Sequence, residues 1–221
     1  LPVIAGTGTN STASTIQKTR RAAQLGVQAA MVVVPYYNKP TQSGMLNHFE
    51  TVASSTDIPI VLYNVPGRTG ARMAPPIAVY LSKLRNVVAI KDAGGDIEDA
   101  SEIIRDSDSD FALLSGDDSL TLPLLSIGAK GVISTSANVA PAKMVAIWDS
   151  AKRGDMAAAA RIHLELLDLF RVMFIESNPG PVKAAMAMMG LCENEVRLPL
   201  DKLSEKYENS LREVLTALEA I

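Results

Sequence analysis

The chain has one cysteine, Cys192, in 221 residues, so no internal disulfide can form and a reducing compartment, the cytoplasm, is expected. No apolar run approaches the roughly 18 consecutive residues that a membrane-crossing helix needs. Basic residues are not in excess: 21 Lys and Arg stand against 24 Asp and Glu, for a net charge of -3, which leaves no basic footprint for nucleic acid or an anionic membrane surface. His, Cys and carboxylates never gather at metal-ligand spacing, so no metal is expected. The opening residues LPVIAGTGTN lack the basic start and cleavage site of a signal peptide, and begin directly on a strand-like run. What remains is 48% hydrophobic and 20% charged, ample material for a core.

That material is arranged in alternation. Six short runs rich in β-branched residues, at 2–5, 29–34, 58–63, 87–91, 111–115 and 131–134, read as strands. Between them, residues 14–25, 44–54, 75–83, 97–106 and 118–126 carry helical periodicity and start signals. Strand and helix in turn mean a parallel sheet wrapped by helices, and the fold class is α/β. After Pro141 the strands stop; residues 143–153, 156–173, 181–189 and 201–218 read as helices alone. The organisation expected is a (β/α) barrel portion over 1–140, then the last barrel helix and a helical region over 141–221.

An open doubly wound sheet shares this alternation with a closed barrel. The GTGTN at 6–10 is not a G-x-G-x-x-G turn and no well-placed acidic residue follows it, which counts against a dinucleotide fold. Polar residues instead collect at the carboxyl ends of several strands, where barrel enzymes build their sites: Thr7 and Thr9, Tyr36 and Tyr37, Tyr63 and Asn64, Lys91, Ser115 to Asp118, and Ser134 to Asn138.

The stretch NVVAIKDAGGD, residues 86–96, runs an apolar strand straight into Lys91. Two readings stand: a lysine snorkelling at the rim, or a desolvated, nucleophilic amine. Alternation groups Lys91 with Ala89 and Val87, and Tyr63 with Val61 and Pro59, so both polar tips could top the barrel interior. A neutral amine attacks a ketone, and a nearby phenol can move the protons that imine formation requires. Tyr63 as a plain core aromatic is the other reading of that residue.

Six segments carry a resemblance: PYYNKPTQSG (35–44), LYNVPGRTG (62–70), AIKDAGGD (89–96), LLSGDD (113–118), KGVIS (130–134) and NPGPVKAAM (178–186). In order and without large gaps, they closely resemble the dihydrodipicolinate synthases, within the N-acetylneuraminate lyase family of class I aldolases. The arginine of GRTG points to the synthase branch. The resemblance implies a TIM (β/α)8 barrel, with Lys91 as the Schiff-base lysine that condenses with pyruvate and Tyr63 as the proton-transferring tyrosine. Tyr37 is similar to the relay tyrosine that reaches across a dimer interface, so a homo-oligomer, dimer or tetramer, is implied. Arg68 resembles the residue that holds the carboxylate of aspartate semialdehyde, and Gly116 and Ile133 resemble pocket positions around bound pyruvate. No cofactor is implied, because the protein's own amine is the electron sink.

The chain departs from the family in two places. Family members begin with two strand-helix units before the strand at 2–5, and with them an adjacent threonine pair. The sequence is therefore expected to be an incomplete piece of a longer polypeptide, the other reading being a shortened barrel whose strand edges a partner covers. A non-catalytic homologue serving as a scaffold, and another pyruvate-dependent aldolase of the family, stay open as alternatives. The second departure concerns lysine-inhibited members, which use an asparagine and a tyrosine that match Asn10 and Tyr36, and a carboxylate where this chain has Ser14; weak or absent lysine inhibition is implied. Ser14 is otherwise read as the start of the following helix. Asp117 and Asp118 read as helix caps, and Asn178-Pro179 as a helix entry.

Overall fold

The computed structural model describes residues 1–221, which divide into two compact units, Leu1–Ile133 and Ser134–Ile221. All six expected strands form. They are β1 (Ile4–Gly6), β2 (Ala29–Val33), β3 (Ile60–Asn64), β4 (Val87–Asp92), β5 (Ala112–Ser115) and β6 (Gly131–Val132). Each pairs in parallel with the next, so the sheet order is the sequence order. Such an order follows from one repeated strand-helix-strand crossover, and it brings every carboxyl end to the same edge.

The helices of this unit are α1 (Thr12–Gln24), α2 (Gln42–Ser54), α3 (Pro66–Thr69), α4 (Pro75–Ser82), α5 (Ile97–Asp106) and α6 (Thr121–Ser126), the last preceded by a 3-10 turn at Asp118–Leu120. Their starts are chemically marked. Ser11, Thr41 and Asp96 each accept a backbone N–H from the first turn, at Ser14, Gly44 and Glu98 with Asp99 respectively. Ser11 is thus the cap of α1, and Ser14 lies inside the first turn instead of starting the helix. The helix α3 falls within a segment that reads as loop, because proline and glycine occupy two of its four positions.

One face of the sheet meets the helices. Val32, Val34, Ile60, Leu62, Ile90 and Leu113 pack there with Met45, Phe49, Leu81 and Ile103 into the core of the unit. At roughly 1.5–3 kcal/mol for each large apolar side chain removed from water, this layer dominates the stability of the unit. Alternation sends Val61, Tyr63, Ala89 and Lys91 to the other face. Val87 is the exception: a register shift between Ile60 and Val61 pairs Val87 with Ile60 and puts it in the helix-side core. The bulge adds a residue to β4, so the phase of two that groups Val87 with Lys91 breaks there.

The second unit is helical, with α7 (Pro141–Lys152), α8 (Met156–Glu165), α9 (Leu167–Val172), α10 (Gly180–Met188) and α11 (Glu208–Ala217), and 3-10 turns at Ser136–Asn138 and Glu205–Tyr207. The periodicity over 156–173 belongs to two helices, broken at Leu166, which is fully buried. Asn178-Pro179 stands directly before α10. Ile147, Leu166, Leu169, Met173, Ala185, Leu211 and Leu215 are buried in this unit.

Candidate active site

The register of β3 against β4 sets Tyr63 beside Lys91, and Lys91 beside Leu114 of β5. The Lys91 Nζ lies 4.3 Å from the centroid of the Tyr63 ring. Both side chains are half-buried at the carboxyl ends of their strands. Burial pushes the Lys91 amine below the ordinary lysine range; the carboxylate of Asp118 opposes that shift and the guanidinium of Arg68 adds to it. Burial also raises the Tyr63 phenol, against a smaller opposing pull from Arg68. An amine that loses its proton more easily thus faces a phenol that keeps its own. That pairing suits nucleophilic attack on a carbonyl with proton transfer close by.

Arg68 reaches this pair from the loop after β3. It sits on α3, exposed, and it is electrostatically coupled to both Tyr63 and Lys91. A fixed positive charge with a planar face at the mouth of an amine site can hold a carboxylate in two contacts. The segment that carries it is tied to the loop after β2, where the Tyr37 N–H donates to the Thr69 carbonyl at 3.2 Å.

Tyr37 itself is turned outward, with 86% of its surface exposed and a backbone φ of 74°. A non-glycine residue in the left-handed region is a strained placement, held here by the loop hydrogen bonds on either side. Tyr36 is partly exposed on the same loop, and the Asn38 side chain there donates to the Asn10 carbonyl at 2.8 Å.

Gly116 follows β5, and its N–H donates to the Asp92 carbonyl at 2.6 Å. A Cβ at this position would stand 2.8 Å from the Ala93 Cβ and 3.1 Å from the Asp92 carbonyl oxygen. The missing side chain therefore serves the approach of the β5 exit to the strand that carries Lys91. Gly116→Ala is expected to destabilise the protein by about 1–3 kcal/mol, since extra bulk in a packed site forces backbone shifts. Chemical denaturation would check this; an unchanged midpoint would mean that the loop yields freely. Ile133 continues the ladder past β6, its N–H donating to the Ser115 carbonyl at 2.9 Å.

Asp117 and Asp118 divide their labour. Asp117 caps the 3-10 turn through Ser119, as its sequence position suggests. Asp118, read from the sequence as a helix cap, is not the capping residue; it is 2% exposed and bears on the Lys91 charge. The only signal was its place just beyond the carboxyl end of a strand adjacent to β4. A concavity of about 1040 Å³ beside β1 and α1 is lined by Ala5, Gly6, Thr7, Ile16 and Arg20. Neither Lys91 nor Tyr63 lines it.

Comparison with known proteins identifies the family and the fold. The model of the dihydrodipicolinate synthetase family matches residues 1–218. The 4-hydroxy-tetrahydrodipicolinate synthase of Methanothrix thermoacetophila is 48% identical over 219 residues, covering 99% of this chain and 74% of that protein. The crystal structure of dihydrodipicolinate synthase from Aquifex aeolicus superposes with a TM-score of 0.97 at 48% identity, over 100% of this chain and 75% of that one. The enzyme from Thermotoga maritima gives 0.98 at 43% identity, over 100% and 76%. The chain thus spans about three quarters of the length of these relatives. With nearly every residue matched, and an amine and a phenol side by side on adjacent strands of the shared fold, the chain belongs to the dihydrodipicolinate synthetase family.

Proposed function

We propose that Lys91 is the amine through which this chain works as a 4-hydroxy-tetrahydrodipicolinate synthase, condensing pyruvate with aspartate semialdehyde. The observation that carries the assignment is the Lys91 Nζ, lowered in pKa by burial and 4.3 Å from the Tyr63 ring, in a member of this family. Neutral Lys91 attacks the ketone carbon of pyruvate, and the carbinolamine loses water to give an imine. Tyr63 supplies the proton to the departing hydroxyl. Loss of a methyl proton gives an enamine, whose carbon bonds to the aldehyde carbon of aspartate semialdehyde while the aldehyde oxygen takes up a proton. The amino group carried by the second substrate then attacks the imine carbon, the bond to Lys91 Nζ breaks with a proton passing to that nitrogen, and the cyclic imine leaves as Lys91 is regenerated.

Around this centre, Arg68 takes the carboxylate of the second substrate, and Gly116 and Ile133 border the pyruvate pocket. Tyr37, outward-facing in a single chain, serves a neighbouring copy in a homo-oligomer. The parallel sheet in sequence order supports reading residues 1–140 as the part of a (β/α)8 barrel that lacks its first two strand-helix units. Residues 141–221 then hold the last barrel helix, α7, and a helical appendage. A cytoplasmic setting is consistent with one free cysteine and no helix long and apolar enough to cross a membrane.

Arg68→Ala separates the two half-reactions. Imine formation with pyruvate is expected to survive, while kcat/KM for aspartate semialdehyde falls roughly ten- to a hundredfold, the cost of about 1.5–3 kcal/mol for a charge-assisted contact. Equal loss of pyruvate trapping would place Arg68 in the first half-reaction. The same assay extends to regulation. Ser14 in place of a carboxylate leaves one ammonium of a lysine ligand without a charged partner, so titration with lysine is expected to inhibit weakly or not at all. Sub-millimolar inhibition relieved by replacing Asn10 or Tyr36 would contradict this.

A further inference from the structure

Directly behind the candidate pair lies a second pair that packing does not explain. One residue past Tyr63 is Asn64, and one past Lys91 is Asp92; the register sets them side by side. Alternation turns them to the helix side of the sheet, where they are 3% and 6% exposed among apolar residues. Two polar side chains in such a layer cost free energy unless every hydrogen-bonding group is used. They are used in a particular way. The Asn64 Nδ2 donates to the Asp92 Oδ1 at 2.9 Å, and the Asn64 Oδ1 accepts the Met73 N–H at 3.1 Å. The Asp92 carboxylate also accepts the Gly94 N–H.

The consequence is topological. The segment between Asn64 and Met73 contains α3, and α3 contains Arg68. Asn64 closes that segment into a loop with one end of its amide and fastens the loop to β4 with the other. Met73 is buried, so its N–H has no water to turn to if Asn64 is removed. One residue before Met73, Arg72 ties the same segment a second time, ion-paired with Asp99 and 3.6 Å from Asp96, both on the chain that follows β4.

We infer that Asn64 and Asp92 are positioning residues: their side-chain bridge sets where Arg68 stands relative to Lys91 and Tyr63, and so governs acceptance of the carboxylate-bearing second substrate. This rests on the assignment of Arg68 above. It predicts coupling between residues that face opposite sides of the sheet, since Asn64 would act on the reaction only through Arg68.

The test combines a double-mutant cycle with hydrogen exchange on the full chain. In Asn64→Ala, amide exchange over residues 65–73 should accelerate at least tenfold. Its kcat/KM for aspartate semialdehyde should fall roughly ten- to a hundredfold, the scale of a misplacement near 1 Å. The pyruvate KM and the borohydride adduct on Lys91 should be retained. Added to Arg68→Ala, the same change should cost less than about threefold more, because coupled residues are not additive. If Asn64→Ala does not fold, Asp92→Asn keeps the volume but replaces one of the two acceptor oxygens that face the Asn64 and Gly94 donors by an NH₂ group, and the same pattern is expected at smaller amplitude. Unchanged exchange over 65–73, or a loss that adds fully to that of Arg68→Ala, overturns the inference. Loss of the Lys91 adduct in the variant alone also overturns it, since the bridge would then act on the lysine. Failure of the parent protein to form the adduct would instead sink the assignment of Lys91, and exchange would still decide the bridge.

Discussion

Lys91→Arg is expected to lower kcat by at least about 10³-fold, since loss of a covalent nucleophile leaves only binding and electrostatic effects. The substitution keeps length and charge and removes only the ability to become a neutral amine, because a guanidinium stays protonated. A fall of less than tenfold would show that the reaction does not pass through this side chain. The pH dependence has a definite sign. Burial lowers the Lys91 pKa in the folded state, so the parent protein should hold a neutral amine, and turn over, at a pH below the ordinary lysine range, with activity lost as pH falls through the lowered value. For stability, the unfolded chain binds more protons than the folded one between the lowered value and the ordinary range, so stability rises with pH across that window. Lys91→Met should therefore unfold at a higher temperature than the parent at neutral pH, with the advantage shrinking as pH rises. A variant less stable at neutral pH would mean that the amine is better solvated than its position implies.

Tyr63→Phe is expected to cost roughly 10²- to 10⁴-fold in kcat, the usual range for removing a positioned proton donor or acceptor. The phenyl ring should preserve the packing that holds Lys91 Nζ at 4.3 Å, so the loss belongs to the hydroxyl. Burial keeps that hydroxyl protonated well above neutral pH, which makes it a donor when the carbinolamine expels water. Rates of borohydride trapping should fall in parallel with kcat. Trapping at the parent rate with slow turnover would move the role of Tyr63 to the later, carbon–carbon bond-forming step.

Most of the frame was legible because its signals are local. Two apolar runs that end on Tyr63 and Lys91 advertise strands with polar tips, and turn residues between the runs advertise crossovers. What was hidden depends on neighbours that sequence does not list. The bulge at Ile60 and Val61 moves Val87 to the helix side, and only the partner strand reveals it. Pro66 and Gly67 disguise α3 as loop, although proline at the first position of a helix is favourable. Ser11 takes the cap from Ser14 because several hydroxyl residues stand at the start of α1 and the extended backbone at Ser11 lets its side chain accept the Ser14 N–H. The left-handed backbone of Tyr37 gives no sequence signal, since any residue but glycine is disfavoured there. Asp118 and the Asn64–Asp92 bridge are tertiary facts, set by how β5 and β3 leave the sheet beside β4.

Trapping the imine shows directly whether Lys91 is the amine that meets the ketone. The folded protein is incubated near neutral pH with pyruvate, reduced with borohydride and digested, and the peptides are weighed. Borohydride fixes an imine as a secondary amine, so a single 1-carboxyethyl adduct is expected on the peptide carrying Lys91, absent from Lys91→Arg. An adduct spread over the surface lysines, or none on a folded sample, would contradict it.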